Sequence, residues 1–240
     1  MRSEDYRGHR KRLRQRFLKG SLDGFHDYEV VELLLTFAIP RRDVKPLAKR
    51  LVKRFGGLRG VFDATVDELM AVEGMGEHSS VLIHLVKEIG KEYLKERMQQ
   101  RDIVRSPQDV LDYLEFALSG ERVEKFIALY LDTKNHVLGV ETLHEGTIDQ
   151  TFVYPRKIIE HAFKYNARSV IFVHNHPSGD PTPSPTDYRL TKELERAAHS
   201  VDIIVHDHII VGRGGYFSAR QRGWLGDVLE GSLKVGEEED

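Results

Sequence analysis

The sequence predicts an α+β protein, an all-helical N-terminal unit followed by a mixed-sheet domain. Three observations carry that expectation. The first hundred residues hold apolar side chains at three- and four-residue spacing, the period of an amphipathic helix. After residue 106 the pattern changes to helix, strand, strand, helix, strand, helix, strand. Within that second part, Ser169 to Asp187 (SVIFVHNHPSGDPTPSPTD) reads as a strand, a Gly/Pro loop and a helix start.

Taken in order, residues 7–19 are basic, with Leu13, Phe17 and Leu18 at helical spacing. Their positive side chains suit either a phosphate-contacting arm or a solvated helix face, and the solvated face is the favoured reading. Asp27 to Phe37 opens on Asp and continues apolar, so it reads as a buried helix that ends at Pro40. Asp43 to Phe55 carries Leu47, Leu51 and Phe55 every four residues and stops at Gly56-Gly57. A short helix from Asp67 leads through Val72-Glu73-Gly74-Met75-Gly76 into a long charged helix, residues 81–100. Two helices joined by Gly-Met-Gly, residues 65–83, resemble a helix-hairpin-helix element. In that element glycines let backbone N–H groups approach a DNA phosphate. Glu77 departs from the pattern, because its charge repels phosphate. A tight turn used for packing is the plainer alternative. The domain boundary is expected near residues 97–106, giving a helical unit over 1–100.

Ser106 is a plausible cap for a helix over Gln108 to Leu118. Phe126 to Asp132 is an apolar strand, turned by Thr133-Lys134-Asn135, and His136 to Leu143 returns antiparallel. Pro155 to Asn166 is a helix with Ile158, Ile159, Ala162 and Phe163 inward. Pro185 to Ser200 is another, with Leu190, Leu194 and Ala197 on one face. Val201 to Val211 is the last strand, and Gly212 to Gly215 reads as a hairpin. The second domain is placed at 104–226, with an acidic and flexible tail at 227–240.

Composition limits the function. The chain has 240 residues, room for one large or two small cores, and a net charge of −2, so global charge does not point to nucleic acid. Without cysteine there are no disulfides, thiolate zinc sites or cysteine nucleophiles. The zinc deaminases, which need a Pro-Cys-x-x-Cys element, are excluded on the same ground. The N-terminus lacks the apolar core of a secretory signal, and the longest apolar stretch, Val30 to Ile39, is broken by Glu32 and too short to span a bilayer. The expectation is a cytoplasmic protein without a membrane partner.

The chemistry concentrates at the strand–loop–helix stretch. Alternate residues of a strand share a face, which puts His174 and His176 on one side, roughly 6–7 Å apart along the chain. The loop then returns Asp187 as an oxygen donor. Two imidazoles and one carboxylate leave an open position on a tetrahedral zinc, as catalytic sites do. A plainer reading stands beside this one. Ser184 suits an N-cap, Pro185 the first helical position and Asp187 the third, so Asp187 also works as a capping carboxylate.

His-x-His-Pro, seven residues, then Ser-x-x-Asp resembles the JAMM motif of MPN-domain metalloproteases. The string HNHPSGDPTPS resembles the bacterial RadC family within that superfamily. The similarity runs from about Ser106 to Trp224, and the helical N-terminal part is also similar. The resemblance implies an MPN fold (cytidine-deaminase-like) and a zinc-dependent hydrolase of peptide or isopeptide bonds. One zinc is then held by His174, His176 and Asp187. It also implies a Glu on an early strand as general base: Glu124 is the best match, with Glu141 and Glu145 as rivals. Ser184, pinned as a cap, suits a donor to the developing oxyanion. For His206, Asp207 and His208 no second metal is assigned, only support of a ligand by hydrogen bonding. The alternative from another class is a DNA-associated, repair-linked binding protein that touches phosphate through the N-terminal unit. A two-metal nuclease fits less well, for want of an acidic cluster.

Overall fold

The computed structural model describes residues 4–99, 107–118, 120–146 and 155–226. The expected cap at Ser106, most of the expected boundary stretch and the tail at 227–240 lie outside these residues. The chain divides into two compact units, Met1–Gly90 and Lys91–Asp240.

The first unit is helical. α1 (Glu4–Gly20), α2 (Asp27–Ala38), α3 (Lys45–Phe55), α4 (Leu58–Asp63) and α5 (Val66–Met70) precede the long α6 (Glu77–Gln99), whose last turns belong to the second unit. Val31, Leu35, Leu47, Leu51, Val61, Leu69 and Ile83 form its core. Leu47 and Leu51 are positions that the four-residue spacing marks. Two of the basic residues in α1 are used internally. Arg10 donates to the carbonyls of Ile39, at 2.8 Å, and Arg42, where α2 ends, and Arg16 pairs with Glu29 at 2.5 Å. α4 starts directly after Gly56-Gly57, which the sequence marks as a stop. Gly56 takes a left-handed φ of 77° and closes α3, and the Asp27 carboxylate then accepts the Leu58 N–H at 2.9 Å to start the next helix.

The second unit is a five-stranded mixed sheet with helices. It contains α7 (Pro107–Leu118), β1 (Lys125–Leu131), β2 (Val137–Glu145), α8 (Pro155–Lys164), β3 (Ser169–Asn175), α9 (Pro185–His199), β4 (Ile204–Gly212) and β5 (Gly215–Ser218). The order across the sheet is β2-β1-β3-β4-β5. Only the β3–β4 pair is parallel, with α9 as its crossover; β1–β2, β1–β3 and β4–β5 are antiparallel.

Strand alternation sorts side chains into two cores. Ile127, Leu129, Ile171, Val173, Ile209 and Val211 pack with Val110 and Leu114 of α7 and with Met98. Phe126, Ala128, Tyr130, Val170 and Phe172 pack with Ile158 of α8 and Leu190, Leu194 and Ala198 of α9. The central strands are buried on both faces, which is why they read as continuous apolar runs. β4 starts three residues later than the sequence suggests. The end of α9 takes up those residues: Asp202 adopts a φ of 59°, and the Ile203 N–H closes onto the Ala198 carbonyl at 2.9 Å. Among the described residues, no helix is long and apolar enough to cross a membrane.

Candidate metal centre

His174 sits near the end of β3, on the face covered by α9, with Phe126 opposite it on β1 and its ring stacked on that phenyl at 6.0 Å. It is 1% exposed. Two residues on, His176 leaves the sheet with its N–H held by the Val211 carbonyl of β4 at 3.0 Å. The loop that follows is stapled to the β4–β5 hairpin, where Arg213 N–H donates to the Gly179 carbonyl at 2.9 Å. Gly212 lies directly beneath. A Cβ there would meet the Gly179 carbonyl oxygen at 2.4 Å, so only glycine admits the loop this close. The loop ends at Ser184, and α9 begins with Pro185 in its first turn.

Ser184 and Asp187 form a reciprocal capping box. The Ser184 Oγ accepts the Asp187 N–H at 3.2 Å, while Asp187 Oδ2 accepts the Ser184 N–H at 2.6 Å and its hydroxyl at 2.7 Å. Capping turns the other oxygen, Oδ1, toward His174. The cap reading and the ligand reading of Asp187 are therefore compatible in one geometry.

His174, His176 and Asp187 form the one group of three His, Cys, Asp or Glu residues, among the described residues, close enough to share a cation. The two Nε2 atoms are 3.1 Å apart. His174 Nε2 is 3.3 Å from Asp187 Oδ1, and His176 Nε2 is 3.7 Å from Asp187 Oδ2. A tetrahedral zinc with bonds of about 2.0–2.1 Å puts its donors about 3.3–3.4 Å apart, so the two edges that meet at His174 Nε2, to His176 Nε2 and to Asp187 Oδ1, lie close to that spacing. The donor chemistry agrees: His176 Nδ1 lies 2.8 Å from the Asp180 carbonyl, which can only accept, so Nδ1 carries the proton and Nε2 keeps a free lone pair.

The electrostatics follow from burial and pairing. Burial alone would push the Asp187 carboxyl up, but its bonds with His174, His176 and Ser184 outweigh this and hold it far below the usual range. The Asp187 carboxylate raises His176 above its ordinary value against partial burial, with smaller contributions from the Asp180 carbonyl and Glu124. Full burial, reinforced by His174, holds His208 well below 6.5.

Glu124 precedes β1. It lies two residues before Phe126, which pairs with His174, and its charge acts on His176. Its flanks are clamped by Asn175, a buried residue between the two histidines. The Asn175 Oδ1 accepts the Lys125 N–H at 2.8 Å, and its Nδ2 donates to the Val123 carbonyl at 3.1 Å. Glu141 stands opposite Ala128 and accepts from Tyr165 at 2.6 Å and Lys164 at 2.9 Å; Glu145 is 3.7 Å from Lys125 Nζ.

Three features around the site came from sequence reasoning incompletely or not at all. His208 reaches His174 Nδ1 at 2.9 Å, whereas Asp207 on the opposite face bonds Ser218 at 2.6 Å. Thr191 and Asn175 were not singled out. The available signals were a threonine one helical turn after Asp187, on the buried face of α9, and an amide at a strand position between two polar residues.

Two comparisons with known proteins bear on this arrangement. Residues 104–224 match the family model described as RadC-like JAB domain. A UPF0758 protein from Fusobacterium nucleatum is 37% identical over 232 residues, covering 94% of this chain and 100% of that protein.

Proposed function

This chain belongs to the RadC-like JAB-domain family, and from that premise we propose that it is a zinc-dependent hydrolase of peptide or isopeptide bonds, of the JAMM type. Membership supports a JAMM-type metal-dependent hydrolase or a DNA-repair-linked role. The observation that favours the hydrolase is the convergence of two imidazole nitrogens and a carboxylate, with His174 Nε2 3.1 Å from His176 Nε2 and 3.3 Å from Asp187 Oδ1.

In this reading His174, His176 and Asp187 hold the ion. Zinc would supply a Lewis acid that acidifies water and polarises the scissile carbonyl. Glu124, whose charge acts on His176, takes the proton of the attacking water and returns it to the leaving amine nitrogen as the C–N bond breaks. Ser184 stabilises the oxyanion. Its hydroxyl proton rests on Asp187 Oδ2, so turning it to the substrate gives up one charge-assisted bond, about 1.5–3 kcal/mol. A bond to the developing oxyanion offsets that loss, and the Ser184 N–H stays on Oδ2.

The test is metal content of the purified protein beside His176→Ala. The expected result is about one zinc per chain in the wild type, lost in the variant. Peptide and isopeptide substrates are then screened against Glu124→Gln, which keeps the metal and loses hydrolysis. A protein that neither carries nor takes up zinc refutes the reading, and an active Glu124→Gln moves the base elsewhere.

One observation favours the second role. Three arginines surround the turn between α5 and α6. Arg50 donates to the Glu73 carbonyl at 3.0 Å, Arg54 to the Ala71 carbonyl at 3.3 Å, and Arg42 packs over Gly74. Against it, the Gly76 N–H, which a phosphate would need, is already held by Ser79 Oγ at 3.0 Å. A steep fall of DNA affinity with salt separates this role from the hydrolase.

A further inference from the structure

Behind His174 runs a chain of buried polar groups whose proton positions can be assigned one after another. The Thr191 hydroxyl lies 2.6 Å from the Asp187 main-chain carbonyl. A carbonyl only accepts, so the hydroxyl proton points there. The same Oγ is 2.7 Å from His208 Nδ1. With its proton committed, Oγ can only accept, so Nδ1 of His208 carries hydrogen.

The far nitrogen, His208 Nε2, is 2.9 Å from His174 Nδ1. His208 is 1% exposed and lies against the rings of Phe126, Phe172 and His174. A second proton would make it a cation among apolar rings and another imidazole, with no carboxylate of its own. Its Nε2 is therefore a lone pair. A lone pair at 2.9 Å demands a proton from the partner, because two bare nitrogens would repel. His174 must carry its proton on Nδ1.

We infer that Thr191, acting through His208, fixes the tautomer of His174, so that its Nε2 lone pair faces the metal position. The Asp180 carbonyl does the same for His176. Two bare nitrogens then stand 3.1 Å apart beside a carboxylate, an arrangement that only a cation or a proton relieves. Thr191 and His208 are positioning residues. The inference deepens the metal reading and rests on it for its purpose.

The experiment is ring-nitrogen NMR of the full chain with 15N-labelled histidine, zinc-free and zinc-loaded. His174, His176 and His208 are assigned by single substitution. Zinc affinity is measured by chelator competition. The wild type should show His174 protonated at Nδ1 in both states, and His208 protonated at Nδ1 alone. Thr191→Val, which removes the hydroxyl at nearly constant shape, should disturb the His208 and His174 patterns and weaken zinc binding roughly 10- to 100-fold. Thr191→Ser should restore both. Wild-type His174 protonated at Nε2 with a bare Nδ1 overturns the inference, as does a Thr191→Val protein with unchanged ring pattern and zinc affinity. Should Thr191→Val fail to fold, the wild-type spectrum decides alone. A wild type with Nδ1–H on His174 but no zinc uptake upholds the relay and defeats the metal reading.

Discussion

Replacing Asn175 by Ala tests how the segment carrying Glu124 is held. Asn175 is 1% exposed, and its amide makes the contacts that the β1–β3 ladder would make if it ran two residues further. Removing the side chain strands the Lys125 N–H, now 2.8 Å from Oδ1, and the Val123 carbonyl, now 3.1 Å from Nδ2. Both groups lie where water can reach them, so each lost bond costs the net value of an ordinary hydrogen bond, about 0.5–1.5 kcal/mol. For the Lys125 amide that corresponds to roughly 2- to 13-fold faster hydrogen exchange. The assay is amide exchange of the full chain, read at Lys125 and, as an internal reference, at Leu129 in the middle of β1. Asn175→Asp is the companion, since it keeps an acceptor for Lys125 and loses only the donor to Val123. The expected order of exchange at Lys125 is Ala variant fastest, with the Asp variant near wild type. Unchanged protection of Lys125 in Asn175→Ala would refute the clamp.

Two further predictions concern other parts of the chain. Tyr165 first and Lys164 second hold the Glu141 carboxyl below its ordinary value, so this group stabilises the fold fully above the unfolded carboxylate value of about 4.3. The contribution is lost as pH falls through the lower folded value. The gap in thermal midpoint between wild type and Glu141→Gln should therefore be constant near neutrality and close below about pH 4. A gap that stays open in acid removes the ion pair as its cause. If the N-terminal unit contacts DNA through the arginines beside Gly74, Arg50→Ala should lower the slope of log affinity against log salt by about 1, and an unchanged slope would clear that residue of phosphate contact.

The sequence made legible those parts of the site that depend on local spacing. His174 and His176 share a face because strand side chains alternate, and Asp187 is set by a cap pattern readable as Ser-Pro-x-Asp. The two cores follow from the same alternation over 126–130 and 170–173. What local spacing cannot give is pairing across the sheet. His208 meets His174 because β4 lies parallel to β3, a contact 34 positions apart. Asn175 reaches Lys125 over 50 positions. The short β5 and α4 were missed for a different reason: each has too few residues to show a period, and each is defined by neighbours, β5 by its pairing with β4 and α4 by the Asp27 carboxylate at its start.

Asp187 shows why cap and ligand share a residue. A carboxylate offers two oxygens, and the capping box uses only Oδ2, with both the N–H and the hydroxyl of Ser184 on it. Those bonds fix the side-chain torsion, so Oδ1 is aimed at His174 before any cation arrives. The same helix returns a hydroxyl one turn later, at Thr191, whose proton is anchored on the Asp187 carbonyl and whose lone pair orients His208. One helix start thus sets the oxygen donor directly and one nitrogen donor at second hand. The loop sets the other through the Asp180 carbonyl. Each donor is oriented by hydrogen bonds to the main chain or to a side chain anchored on it, and burial protects the bonds of the Thr191–His208–His174 chain from competition with water. Donors held this way lose little conformational freedom on binding an ion, so binding the ion costs little further ordering.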